Sequence, residues 1–294
     1  MGRKAVPVPA LFVTSGILTY VGAALAAGLF AIMSPTGVTW WRVAVGVAVL
    51  LVLWRPWKQL WTPRKILVAT VFGVVLVGMN TLFYEAIARI PMGVAVAVEF
   101  LGPVAVALFR GRGWAPRVAA LLALAGIVAI GGWGLDLSDP NAAAGFWFAL
   151  AAGGSWALYI LLGSRISQNA QTGPSLALGL AIAALLYLPF MHQAAFDVDF
   201  SWQTFLALAG VAILSTALPY SIDAIAFGRI KESTFALLTA LLPATSVVVG
   251  ALMLAQIPGV FEVLGVALVS VAVWLAGRGG AGEDRGGSPS NSMV

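Results

Sequence analysis

At 294 residues, 61% hydrophobic and 9% charged, with mean hydropathy +0.99, the chain carries far too little polar surface for a soluble globule, whose charged share is about 25%. The net charge of +5 would suit nucleic acid, but the bases fall in short clusters between apolar runs, which is how a membrane protein sets its topology. Nucleic acid is therefore excluded as a partner and a lipid bilayer is implied. Absent cysteine removes disulfides, thiolate metal sites and cysteine nucleophiles. The single histidine, His192, removes nearly every zinc and Ser-His-Asp constellation, so neither a metal nor a cofactor is expected.

After a short amino-terminal stretch (1–9), ten apolar runs follow at 10–32, 36–54, 66–88, 92–109, 118–135, 144–163, 175–191, 204–227, 234–254 and 261–277. Backbone in hydrocarbon must bond to itself, which leaves helices or a closed barrel. Barrel strands alternate in polarity, and these runs do not. Each is near the ~20 residues that cross ~30 Å of hydrocarbon. The chain is thus predicted to be an all-α membrane protein with ten transmembrane helices. Its tail, 278–294, is Gly-, Ser- and Pro-rich and reads as disordered.

With a cytoplasmic amino terminus, Arg3, Lys4, Arg55, Lys58, Arg64, Lys65, Arg110, Arg112, Arg117, Arg165, Arg229, Lys231, Arg278 and Arg285 all fall inside. Only Arg42 and Arg89 fall at the outer side, while Asp136, Asp139, Asp197 and Asp199 lie in outer loops. An even span count with both termini cytoplasmic fits the positive-inside rule. Trp40, Trp41, Trp54, Trp57, Trp61, Trp114, Trp133, Trp202 and Trp274 stand near predicted span ends, where amphipathic rings belong. A cleaved leader ending near Ala24-Leu25-Ala26 is the competing view of the start; it would leave nine spans and undo the charge asymmetry.

Shifting the chain by 140 residues places Arg89-Ile90 on Arg229-Ile230, Pro103 on Pro243, Ser15 on Ser155, Leu18 on Leu158 and Ala86 on Ala226. The Arg-Ile and proline matches carry the weight, because apolar matches arise by chance here. Five is odd, so two like halves in series, 10–135 and 144–277, cross the membrane in opposite senses. Such inverted five-helix repeats are common among secondary transporters, with the site near the midplane where the halves meet. A duplication without a transport role would leave the same register.

Ionisable groups in hydrocarbon cost several kcal/mol and usually face a cavity or a partner. Glu99 and Asp223 lie well inside predicted spans. Arg42 and Glu85 lie nearer the outer boundary, where Arg42 is expected to snorkel and Glu85 to be solvated or to pair with Arg89. Pro103 has no N–H and so frees the carbonyl of Glu99; Pro243 does the same for Thr239. Thr216, Tyr220 and Asp223 share a helical face, with Pro219 bending the same segment. Asn80 with Tyr84, and Ser155 with Tyr159 beside Trp156, are i, i+4 pairs. Each pair alone is more often a helix–helix hydrogen bond than a ligand contact. Together they suggest a shared polar cavity.

The segments GMNTLFYEAIARIPMGVAVAVEFLGPVAVAL (78–108), GGSWALYILLGSR (153–165) and AILSTALPYSIDAIAFGRI (212–230) resemble spans of the EamA-type transporters of the drug/metabolite transporter superfamily. Their VAVEF-GP and STALPYS strings are like those of its threonine/homoserine exporter (RhtA) group, and the resemblance covers about residues 10–277. It implies ten spans, a bacterial inner-membrane location and proton-coupled efflux of small neutral amino acids. Glu99 matches an acidic position of that group, and Asp223 stands where the group tends to have Glu. Two positions depart from it: Leu242 replaces an acid before Pro243, and Ala255-Gln256 replaces Gly-Glu.

The combined expectation is a secondary exporter rather than an enzyme, with a small-molecule substrate. Glu99 and Asp223 are its titratable, amine-binding groups, and Asn80, Tyr84, Ser155, Trp156, Tyr159, Thr216 and Tyr220 shape its pocket. A purine, amine or drug cargo is the alternative within transport, and an intramembrane enzyme the alternative outside it.

Overall fold

The computed structural model describes residues 8–110, 113–130, 135–166, 172–196, 201–226 and 241–280. Proline-led and side-chain-capped starts set several helices in place. Ser34 accepts the N–H of Gly37 at 3.2 Å ahead of Pro35, and Thr62 accepts that of Lys65 at 3.3 Å ahead of Pro63. Ser201 accepts from Thr204 at 3.1 Å, and Asp139 accepts from Asn141 at 3.0 Å ahead of Pro140. A cap oxygen takes an amide that has no partner within the helix, and proline at the first helical position loses nothing.

The described helices are α1 (Val8–Gly28), α2 (Pro35–Trp54), α3 (Pro63–Ile87), α4 (Met92–Glu99), α5 (Leu101–Arg110) and α6 (Ala115–Ala129). They continue with α7 (Pro140–Ile166), α8 (Thr172–Phe196), α9 (Trp202–Ala212) and α10 (Leu218–Ala226). The last two are α11 (Leu242–Leu254) and α12 (Val260–Gly280). A five-residue π turn, Ile213–Ala217, joins α9 to α10, and α4 gives way to α5 at Phe100. Strands are absent among the described residues.

Seven helical stretches are long and apolar enough to cross a membrane, and Ala115–Ala129, Leu242–Leu254 and Val260–Ala276 are shorter apolar helices. The predicted run 234–254 is described only from Leu241 onward; 234–240, Thr239 included, lie outside the described residues, as do Trp133, Asp197, Asp199, Arg229 and Lys231. Large apolar side chains such as Phe109, Phe190 and Leu252 stand fully outward. That surface would aggregate in water and is ordinary against lipid tails.

Burial is greatest in α4, whose eight residues are all buried. One apolar cluster gathers around α4 from α1, α6, α7 and α12, and a second joins α2, α3 and α8. α2 packs on α8, α6 on α12, and α4 on α11; α1 packs on α9, α10 and α11, and α7 on α3, α4 and α5. Helices α6 and α12 come close enough that a Cβ on Gly126 would sit 2.8 Å from the carbonyl oxygen of Gly265. Small residues permit such backbone approach, which is where packing energy comes from in the absence of a hydrophobic drive between helices.

Candidate substrate site

A buried arginine sits between the two apolar clusters. Arg42 is 3% exposed, eight residues into α2, which at 1.5 Å per residue lies about 11 Å past the helix start. Its Nε donates to Thr216 Oγ1 at 2.9 Å, Nη1 to Asn80 Oδ1 at 2.6 Å, and Nη2 to the carbonyl of Ser215 at 2.5 Å. Its Cζ lies 5.1 Å from the centre of the Tyr84 ring, in cation–π range. Asn80 donates in turn to Leu76 O at 2.6 Å and to the Tyr220 hydroxyl at 3.1 Å.

The sequence prepares the Ser215 carbonyl for this role. Pro219 has no N–H, so the carbonyl four residues earlier loses its helical donor, and the chain at that point is the π turn Ile213–Ala217. Arg42 supplies the missing donor from another helix. π turns inside α-helices recur at functional sites. Helix α1 braces the segment: Ser15 Oγ donates to Pro219 O at 3.3 Å, and a Cβ on Gly22 would sit 2.6 Å from Ser215 Cβ.

Glu99 is the last residue of α4 and is 7% exposed. Arg42 is the opposite charge within electrostatic reach of it. The ion pair recorded among the described residues is a different one, Arg89–Glu85. The carbonyl freed by Pro103 faces α7, where a Cβ on Gly153 would lie 2.6 Å from Glu99 O. Beyond it, Phe100 and Trp156 meet edge to face at 4.6 Å. The Tyr84 hydroxyl is buried with no hydrogen-bond partner.

The structure therefore joins Asn80, Tyr84, Thr216 and Tyr220 in one cluster around Arg42, with Pro219 shaping it, and buries Glu99 at the end of α4. Trp156 belongs to the apolar cluster around α4. Tyr159 stacks on Phe72 at 4.7 Å. Ser155 bonds back to Ala151 O in its own helix at 3.0 Å. Asp223 lies in α10 one turn past Tyr220, and its side chain is outside the described residues. Pro243 is buried near the start of α11. Before it, Leu242 presses on α1, where a Cβ on Gly16 would meet Leu242 Cδ2 at 2.3 Å.

Two boundary residues meet different fates. Glu85 does pair with Arg89, at 2.5 Å, and accepts from Thr36 Oγ1 at 2.7 Å. Arg42, expected to snorkel outward, instead points into the bundle, because acceptors on α3 and the π turn satisfy it there. Its signal was available in the sequence: an arginine eight residues inside a span is costly. Counting it among the topological charges hid it. A separate cavity of about 140 Å³ lies between α4, α11 and α12, lined in part by Pro91, Gly250, Gln256 and Glu262. There the Gln256 side-chain carbonyl accepts the N–H of Met92 at 2.9 Å.

Residues 143–278 match the EamA-like transporter family. The threonine/homoserine exporter RhtA of Escherichia coli (strain K12) is 40% identical over 236 residues, covering 80% of this chain and 79% of that protein. The protein of the same name from Salmonella typhimurium (strain SL1344) is 39% identical over 236 residues, with the same coverage. A protein of known crystal structure superposes with a TM-score of 0.61 at 21% identity, over 91% of this chain and 96% of that one, and so speaks to fold alone.

Proposed function

Because the chain belongs to the EamA-type transporters of the drug/metabolite transporter superfamily, near the threonine/homoserine exporters, we propose that it exports small neutral amino acids such as threonine and homoserine. In this reading it is a secondary transporter of the bacterial inner membrane with both termini cytoplasmic. It works by alternating access between two inverted five-helix halves, 10–135 and 144–277, with proton exchange at Glu99 and Asp223. The observation that carries the reading is the buried nest in which Arg42 and Asn80 of the first half bond Thr216, Ser215 and Tyr220 of the second. Polar groups in hydrocarbon are costly unless they serve a pathway or a partner, and these ones span the boundary along which the halves would move.

Two further observations support the inverted repeat. Asn80 and Tyr220 are 140 residues apart, the register of the repeat, and are hydrogen bonded to each other. Residues related by a two-fold axis touch only where they lie beside it. Gly126 and Gly265 are offset by one from that register and also meet. Exchanging the halves also relates several packings to one another: α1 on α9–α11 answers α7 on α3 and α5, while α2 on α8 and α6 on α12 are self-mated.

The test is threonine and homoserine counterflow in proteoliposomes under an imposed pH gradient, with Glu99→Gln and Asp223→Asn. Both variants should lose gradient-driven flux. Full driven counterflow in both would sink the carboxylate assignment, and no flux of either amino acid in the unaltered protein would sink the exporter reading.

A further inference from the structure

The Arg42 nest is polar but electrically incomplete. All three acceptors around the guanidinium are neutral: a hydroxyl, a side-chain amide and a backbone carbonyl. They satisfy N–H groups without supplying countercharge, and a buried charge without one costs several kcal/mol. A guanidinium carries five N–H donors, so two remain without a partner among the described residues. Glu99, at the end of α4, is buried too, with no hydrogen bond or ion pair among the described residues. The Tyr84 hydroxyl, on the same helix face as Asn80 and with its ring beneath Arg42, is also unpartnered. Three buried groups thus have unmet hydrogen-bonding capacity among the described residues: the Arg42 guanidinium, the Glu99 carboxyl and the Tyr84 hydroxyl.

We propose that Arg42 and Glu99 are the two poles of a binding site for a zwitterionic α-amino acid. The two remaining Arg42 N–H groups take the substrate carboxylate, and Glu99 takes its ammonium. The planar fork of a guanidinium matches a carboxylate in a way that an ammonium does not. Asn80, Thr216 and Ser215 O are positioning groups that fix the plane of the fork. The site selects against amines and purines, because a ligand bearing one charge leaves the other pole buried and uncompensated. This inference rests on the exporter reading and assigns the element of it that reads the cargo.

The experiment is equilibrium binding to the full-length protein in lipid nanodiscs, using L-threonine, L-threonine amide and N-acetyl-L-threonine. The amide removes the carboxylate charge and the acetyl group the ammonium charge. Each should bind at least about tenfold more weakly than threonine, because each leaves a buried polar group at one pole unmet. Arg42→Gln should bring threonine down to the level of its amide and abolish that discrimination, whereas Arg42→Lys should keep part of it. The ligand series on the unaltered protein decides the matter even if Arg42→Gln fails to fold. Equal binding of threonine and its amide by the unaltered protein, or undiminished discrimination in Arg42→Gln, overturns the proposal and leaves amino-acid export standing. Failure to bind or export any amino acid overturns the exporter reading, and this inference with it.

Discussion

The crossing of α7 over α4–α5 and the crossing of α1 over α11 involve positions 140 residues apart, yet they are packed by different means. In the first, backbone meets backbone: a Cβ on Gly102 would lie 1.9 Å from the carbonyl oxygen of Gly153. In the second, the position matching Gly102 is Leu242, whose side chain fills the gap against Gly16. The difference teaches where precision is needed. The glycine crossing holds the carbonyl of Glu99, and with it the acid, against α7. Among the described residues the leucine crossing holds no charge, and the Leu242 side chain can yield.

Gly102→Ala should therefore break the protein most severely. The new methyl meets backbone, which cannot step aside, and the loss should be about 3 kcal/mol or more, at the upper end of overpacking costs. Thermal unfolding and monodispersity in detergent check it. Gly16→Ala meets the far end of a flexible side chain and should cost about 1 kcal/mol. Adding Leu242→Ala should recover part of that loss, as expected for two residues in direct contact. Equal damage from Gly102→Ala and Gly16→Ala would erase the contrast between the crossings.

The same contrast sharpens at Asn80 and Tyr220, which are also 140 residues apart and bond each other. Asn80→Leu strips an acceptor from a buried guanidinium and should cost about 2–3 kcal/mol, the range for hydrogen bonds to charged groups. Tyr220→Phe removes the hydroxyl that accepts from a neutral amide, for about 1 kcal/mol. A chemical-denaturation series on both variants measures the gap. Equal losses would say that Arg42 does not depend on Asn80.

Much of this was legible in the sequence, for reasons that also explain what was not. Apolar runs of membrane length report helices directly, because hydrocarbon leaves the backbone no other choice. Pro103 reported the freed carbonyl at Glu99, which faces α7. The stripe Thr216–Tyr220 and the pair Asn80–Tyr84 both reach the cluster. What stayed hidden is which groups take up those carbonyls. That Ser215 O would be met by Arg42 depends on a π turn, and no residue pattern in 213–217 announces one. The meeting of Asn80 with Tyr220 was hidden because the two are unlike residues 140 positions apart, and neither names the other as its partner.

The smallest predicted effect lies at the other end of α11, in one of the departures from the exporter pattern. Ala255 closes α11 with φ 53, in the left-handed region, and its N–H returns to Gly250 O. That conformation costs an L-residue roughly 1–2 kcal/mol, whereas glycine adopts it freely and is the usual residue there. Glycine also loses more backbone freedom on folding, by about 0.5–1 kcal/mol, so the net gain from Ala255→Gly should be about 0.5–1 kcal/mol. A rise of about 2 °C in the thermal midpoint corresponds to a gain of this size. The neighbouring Gln256 should be insensitive to the change, since its side-chain carbonyl still caps the N–H of Met92. Arg55 closes α2 in the same left-handed way, with φ 45. Replacing it by glycine would also remove a charge, so Ala255 gives the cleaner reading. An unchanged or lower midpoint in Ala255→Gly would mean that α11 does not end in the left-handed turn from which Gln256 reaches back to α4.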